Sequence, residues 1–182
     1  MITQLKIKGI GFDKGLTESE IHKIEEIYDI RLPDSLRGFY SLGVPISEGG
    51  DGFPQWRNFT EPNIAKIKKR IQAPLDRLWL DVEKGFWLPN WGKRPESIDE
   101  VSRQFAEISL KAPRLIPIYS HRYMPQCHDA GDIPIISAVG RDIIYYGGNL
   151  HEYLQNEFLD GHFRINKHCK YTPFWSDIIN NL

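Results

Sequence analysis

The apolar positions of this chain fall into helical stretches at both ends and strand-like stretches between them. The first clear helix starts in "GLTESEIHKIEEIYDI". Thr17 can accept the free backbone N–H of Glu20, and the Glu20 carboxylate can reach back to the Thr17 N–H, a capping box. Ile21, Ile24, Ile27 and Tyr28 then recur at helical spacing and predict a buried stripe. Glu25 and Glu26 are expected on the solvated face. In "LPDSLRGFYSLG", Pro33 ends one segment and Asp34 or Ser35 opens the next. Leu36, Phe39 and Tyr40 face inward, and Gly43 sits at the C-cap. The first 45 residues therefore read as two helices joined by a short turn.

Gly49, Gly50, Gly52 and Pro54 mark "SEGGDGFPQWRNF" as a loop. "EPNIAKIKKRI" predicts a basic helix with Ile64, Ile67 and Ile71 as its apolar stripe; Lys66, Lys68, Lys69 and Arg70 are expected in solvent. "LWLDVEKGFWLPNWGKRP" is aromatic-rich, broken by Gly and Pro, and fits no single element. Ser97 and Glu100 suggest a second capping box, with Ile98, Val101, Phe105 and Ile108 pointing inward. Three strands follow, in "RLIPIYS", "IPIISAV" and "DIIYYG", the last two joined by a two-residue "GR" turn. Asn149 and Glu152 open a helix bearing Leu150, Tyr153, Leu154 and Phe158, and "FWSDIINNL" predicts a short last one. Helices, then strands, then helices, without regular βαβ alternation, point to an α+β fold with an antiparallel-containing sheet.

Composition narrows the functional classes. At 182 residues the chain has the size of a single domain that folds without metal or disulfides. The balance of 23 basic and 24 acidic side chains gives a net charge of -1, without the basic excess typical of nucleic-acid binders. "MITQLKIKGIGFDKG" has no apolar core of signal-peptide length, and no apolar run approaches a membrane span. The expectation is a cytoplasmic protein whose Cys127 and Cys169 are free thiols.

The densest chemistry lies in "YSHRYMPQCHDAGD". His121, Cys127, His128 and Asp129, with His162, His168 and Cys169 downstream, are candidate metal ligands or a Cys/His catalytic pair. Their H-x5-C-H-D and H-x5-H-C spacings match no familiar zinc module. The expectation is a polar loop between strands, with no metal and no cofactor; an enzyme using residues 121–129 is the alternative. "ISAVG" lacks the first Gly of a nucleophile elbow, and "GIGFDKG" has Lys14 where a dinucleotide loop needs its third Gly. Trp79, Trp87 and Trp91, with Trp56, Arg57, Lys93 and Arg94, offer either a core or a recognition surface rich in the residues that dominate binding hot spots.

The opening "GLTESEIHKIEEIYDIRLPDSLRGFYSLG", then "RLIPIYSHRYMP" and "DIPIISAVGRDIIYYGGNLHEYLQNEF", resemble the SUKH superfamily, which includes the fungal cell-wall-assembly regulator and many bacterial relatives. The similarity covers the first 45 residues and roughly 114 to 158. Leu42 stands where that family often has an Asn before the Gly. The resemblance implies a single α+β domain over 1–182, with a mixed sheet flanked by helices, a two-helix opening and no catalytic residues. Bacterial members are commonly immunity proteins that bind and block a toxin domain. The chain is thus expected to be a protein-binding module, either an immunity protein or a regulatory scaffold. Its candidate partner contacts are Trp56, Arg57, Trp87, Trp91, Arg94, Arg122 and Tyr123. The Trp-rich middle, facing the sheet, is the expected contact region.

Overall fold

A computed structural model describes residues 1–47, 50–127, 131–163 and 169–181. In chain order the elements are α1 (Ile2–Ile7), β1 (Gly11–Asp13), α2 (Glu18–Tyr28), α3 (Asp34–Leu42), β2 (Val44–Ile46) and α4 (Glu61–Glu83). A 3-10 turn (Pro89–Trp91), α5 (Ile98–Ser109), β3 (Leu115–Tyr119), β4 (Arg122–Pro125), β5 (Ile135–Val139), β6 (Asp142–Gly147), α6 (Leu150–Phe158) and α7 (Trp175–Ile179) follow. The fold is α+β. Among the described residues no helix is long and apolar enough to cross a membrane.

The local signals for helix starts largely hold. Thr17 caps α2 with the complete reciprocal box, and Asn149 accepts the Glu152 N–H at α6. At α5 Ser97 accepts the Glu100 N–H, but the return bond from the Glu100 carboxylate is not made. Glu25 departs from its expected solvated position. Its carboxylate is buried and accepts the Leu32 N–H at 2.9 Å, Arg37 at 2.8 Å and Arg31 at 3.0 Å. Burial raises its pKa, yet Arg37, the Leu32 N–H and Arg31 outweigh burial and hold it below the ordinary carboxylate value. That ion-pair cluster locks the Leu32-Pro33 turn between α2 and α3.

Two sheets are present among the described residues, and every pairing in them is antiparallel, which bears out the antiparallel-containing sheet expected from the order of elements; the parallel pairing a mixed sheet would add is not among them. β1 and β2 form a small two-stranded sheet beside the α2–α3 pair. The main sheet is a meander in the order β3-β4-β5-β6. β4, "RYMP", was expected to be loop. A tight reversal from β3 brings it into the sheet: Ser120 takes the left-handed conformation at φ 49°, and His121 completes the turn.

Alternation along these strands explains the layering. Ile116, Ile118, Met124 and Ile135 pack on one face against α2, α3, α6 and Trp56. Leu115, Tyr123, Ile136, Ala138 and Ile143 pack on the other, against the C-terminal half of α4, α5 and α7. The sheet is therefore buried on both sides over most of its area.

α4 is longer than its sequence suggests. It continues through Pro74, which has no N–H for the carbonyl four residues earlier, that of Arg70. Packing against α2, α5, β3 and β5 holds the helix across this break. It absorbs Trp79 and the first part of the stretch that had no clear element type.

Candidate functional site

α4 places Lys66, Lys69, Arg70, Ala73 and Arg77 on one helical face, because residues three and four apart are neighbours on the helix surface. That face looks onto the β3–β4 turn. Between them lies a cavity of about 420 Å³ lined also by Asp51, Ser120, His121 and Tyr123. Two backbone contacts fix the turn in place. The Ser120 N–H donates to the Asp51 carbonyl at 2.8 Å, and the Arg70 guanidinium donates to the Ser120 carbonyl at 2.9 Å. A second cavity of about 260 Å³ lies on the other side of Lys66 and Arg70, lined by the 53–63 segment.

Arg70 is the unusual member. The apolar face of α4 runs Ile67, Arg70, Pro74, Leu78 and Val82, so a cation occupies a core position. Only 9% of Arg70 is exposed, and its Nε has no hydrogen-bond partner. Burial pushes its pKa down; Tyr123, Asp51 and Tyr40 act more weakly in the opposite direction. No carboxylate of the described residues forms an ion pair with it. Burial and the adjacent Arg122 charge also push His121 below its ordinary value, so its ring is neutral at pH 7. Among the described residues, four cationic side chains, Lys66, Lys69, Arg70 and Arg77, face one carboxylate, that of Asp51, which gives this part of the lining a net charge of +3.

The residues singled out from the sequence are dispersed. Trp56 is wholly buried, edge-on to Tyr28 and Tyr40, and offers no surface to a partner. Arg57 is a structural clamp. It donates to Glu20 and Asp13, each at 2.8 Å, and to the carbonyls of Lys14 and Gly15. The Gly15 backbone runs so close to α3 that a Cβ there would stand 1.7 Å from the Ser41 carbonyl oxygen. Trp91 is buried and stacks on Phe174, while Trp79 meets Phe105. The Trp-rich middle is thus mainly core filling. Trp87 is half-buried, with its indole N–H on the Gly92 carbonyl, and Arg94 donates to the Val82 carbonyl at the end of α4. Tyr123 is buried but reaches the cavity floor. Arg122 lies on the opposite face of β4, its guanidinium 3.6 Å from the centre of the Tyr146 ring.

His121 and Cys127 are not brought together. The extended residues of β4, about 13 Å of chain, lie between them, and they line different cavities. Ser120 Oγ is 3.0 Å from His121 Nδ1. His128, Asp129 and His168 lie outside the described residues. Among the described residues no three metal-ligating side chains cluster.

No protein-family model matches this chain, and neither a curated protein nor a solved structure matches it.

Proposed function

We propose that the chain is a SUKH-type binding module, and specifically an immunity protein that binds a toxin domain and blocks it by covering its working surface. The order of elements supports the reading: the α2–Leu-Pro–α3 opening, then sheet strands, then α6, in the places where the resemblance expects them. The observation that carries it is a preorganised contact surface on the main sheet. Arg122, Ser137 and Ile144 form one row across β4, β5 and β6. Arg122 is stacked on Tyr146 and donates to the Ser137 hydroxyl at 3.2 Å, while Ile144 is 44% exposed beside it. A fixed guanidinium on an aromatic ring, next to an exposed aliphatic side chain, is the composition of a protein-binding hot spot. It loses little side-chain freedom on binding because it is already ordered. Arg122 is the candidate contact from the sequence that this surface retains.

The test is co-expression with toxin-domain genes encoded beside this one. Growth rescue and a 1:1 complex on gel filtration are expected, and Arg122→Glu or Ile144→Asp is expected to abolish both while leaving the circular dichroism unchanged. A chain that neither rescues growth nor forms a complex overturns the immunity reading. A complex indifferent to both substitutions removes this surface from it.

A further inference from the structure

We propose that the cavity between α4 and the β3–β4 turn is a binding site for a phosphate group carried on a compact polar small molecule. The inference rests on the isolated chain and is independent of the immunity reading.

The argument begins with Arg70. A guanidinium removed from water is ordinarily paired with a carboxylate or a bound anion, because an uncompensated buried charge is costly. Arg57 and Arg37 follow that rule, each with two carboxylate partners. Arg70, more buried than either, has one neutral carbonyl and an idle Nε. Its electrostatic neighbours Tyr123, Tyr40 and Tyr153 are phenols whose ionisation burial suppresses, so they bring no counter-charge at neutral pH. Asp51 lines the cavity but forms no ion pair with Arg70. The missing partner is an anion.

The lining selects its kind. The net +3 of the described lining, Arg70 and three further cations against Asp51, favours a dianion or a higher charge over a single carboxylate. The planar fork of Arg and the mobile amines of Lys match tetrahedral phosphate oxygens from several directions. The Ser120 hydroxyl and the Tyr123 phenol, which burial keeps protonated, are further lining groups able to donate. At about 420 Å³ the cavity exceeds a lone ion and reaches the range of small-molecule sites. Among the described residues no aromatic ring other than Tyr123 and His121 lines it, and these two form no stacking platform of the kind that reads bases along a strand.

Calorimetric titration of the full chain with inorganic phosphate, pyrophosphate and citrate, at matched ionic strength in chloride, tests the site. One saturable pyrophosphate site per chain is expected, binding at least about tenfold tighter than citrate. Arg70→Met is expected to weaken it about 30-fold, and Lys69→Gln or Arg77→Gln about fivefold each. Lys93→Gln, remote from the cavity, leaves it unchanged. Lys69 and Arg77 are exposed on the helix surface, so those two variants decide the matter even if Arg70→Met fails to fold. Amide NMR shifts on titration are expected at Ser120 and His121. No saturable heat up to about 10 mM pyrophosphate, equal affinity for citrate, or affinity unmoved by Lys69→Gln and Arg77→Gln each overturns the proposal.

Discussion

Arg57 and Arg70 are both guanidinium groups held against backbone carbonyls, and their surroundings are opposite. Arg57 closes the gap between the 13–15 turn and α2, using two carboxylates and two carbonyls. All of its binding capacity serves the fold. Arg70 crosses from α4 to the β3–β4 turn with one carbonyl contact and sits at the back of an open, cation-lined cavity. The difference shows that a residue type carries no function by itself. What matters is whether the fold has already supplied its counter-charge.

Stability measurements can break that contrast. Arg57→Ala is expected to have the largest effect, a loss of about 3 kcal/mol by urea unfolding, since it removes the one guanidinium that Asp13, Glu20 and two carbonyls share. A loss below about 0.5 kcal/mol would put Arg57 back among the surface residues.

Glu20→Gln comes next, at about 1.5 kcal/mol near neutral pH, because it weakens both the clamp and the α2 cap. It also has a pH signature. Hydrogen bonds from Arg57 first, then the Thr17 N–H, lower the Glu20 carboxyl from its ordinary 4.5 to about 2. A folded-state value below the unfolded one contributes stability that is complete above pH 4.5 and is lost as pH falls through 2. Glu20→Gln is expected to flatten acid unfolding in that window. An unchanged acid profile would mean that the clamp is not closed in solution.

Arg70→Met in anion-free buffer is expected to shift stability by less than about 1 kcal/mol, toward the stable side, because an apolar side chain of similar length replaces an unpaired buried charge. A loss comparable to that of Arg57→Ala would show that Arg70 is a structural residue. The smallest effect is expected for Asp51→Asn. Removing this carboxylate makes the lining one charge more positive, and pyrophosphate binding is expected to tighten about threefold with unfolding unchanged.

Much of the local structure is legible along the chain. Thr17, Ser97 and Asn149 start helices where their side chains meet an N–H three residues on. Other features are not, and each miss has a cause. α4 reads along the chain only as far as Ile71 because propensity acts within one turn, whereas the packing that carries it on through Pro74 comes from α2, α5 and the sheet. β4 hides in "YSHRYMPQ", whose polar letters read as loop, until Ile136 and Ser137 pair with it. Glu25 looks solvated because its partners Leu32, Arg31 and Arg37 lie beyond the helix end. Arg70 reads as a solvent-facing cation beside Lys68 and Lys69 but is buried; its place within the spacing of Ile67, Pro74 and Leu78 is the signal that marks it.

Local pattern carried the α+β class, the starts of α2 to α7 and most of the core-facing positions, while α1 went unread. Those depend on caps and periodicities that act over one or two turns. Only the tertiary structure decided which charges are spent and which remain available. The partners involved are far apart in the chain, Arg57 lying 44 residues from Asp13 and Arg70 lying 50 from Ser120. Pairing of that kind is set by the packing of α4 against the sheet, and no local pattern encodes it.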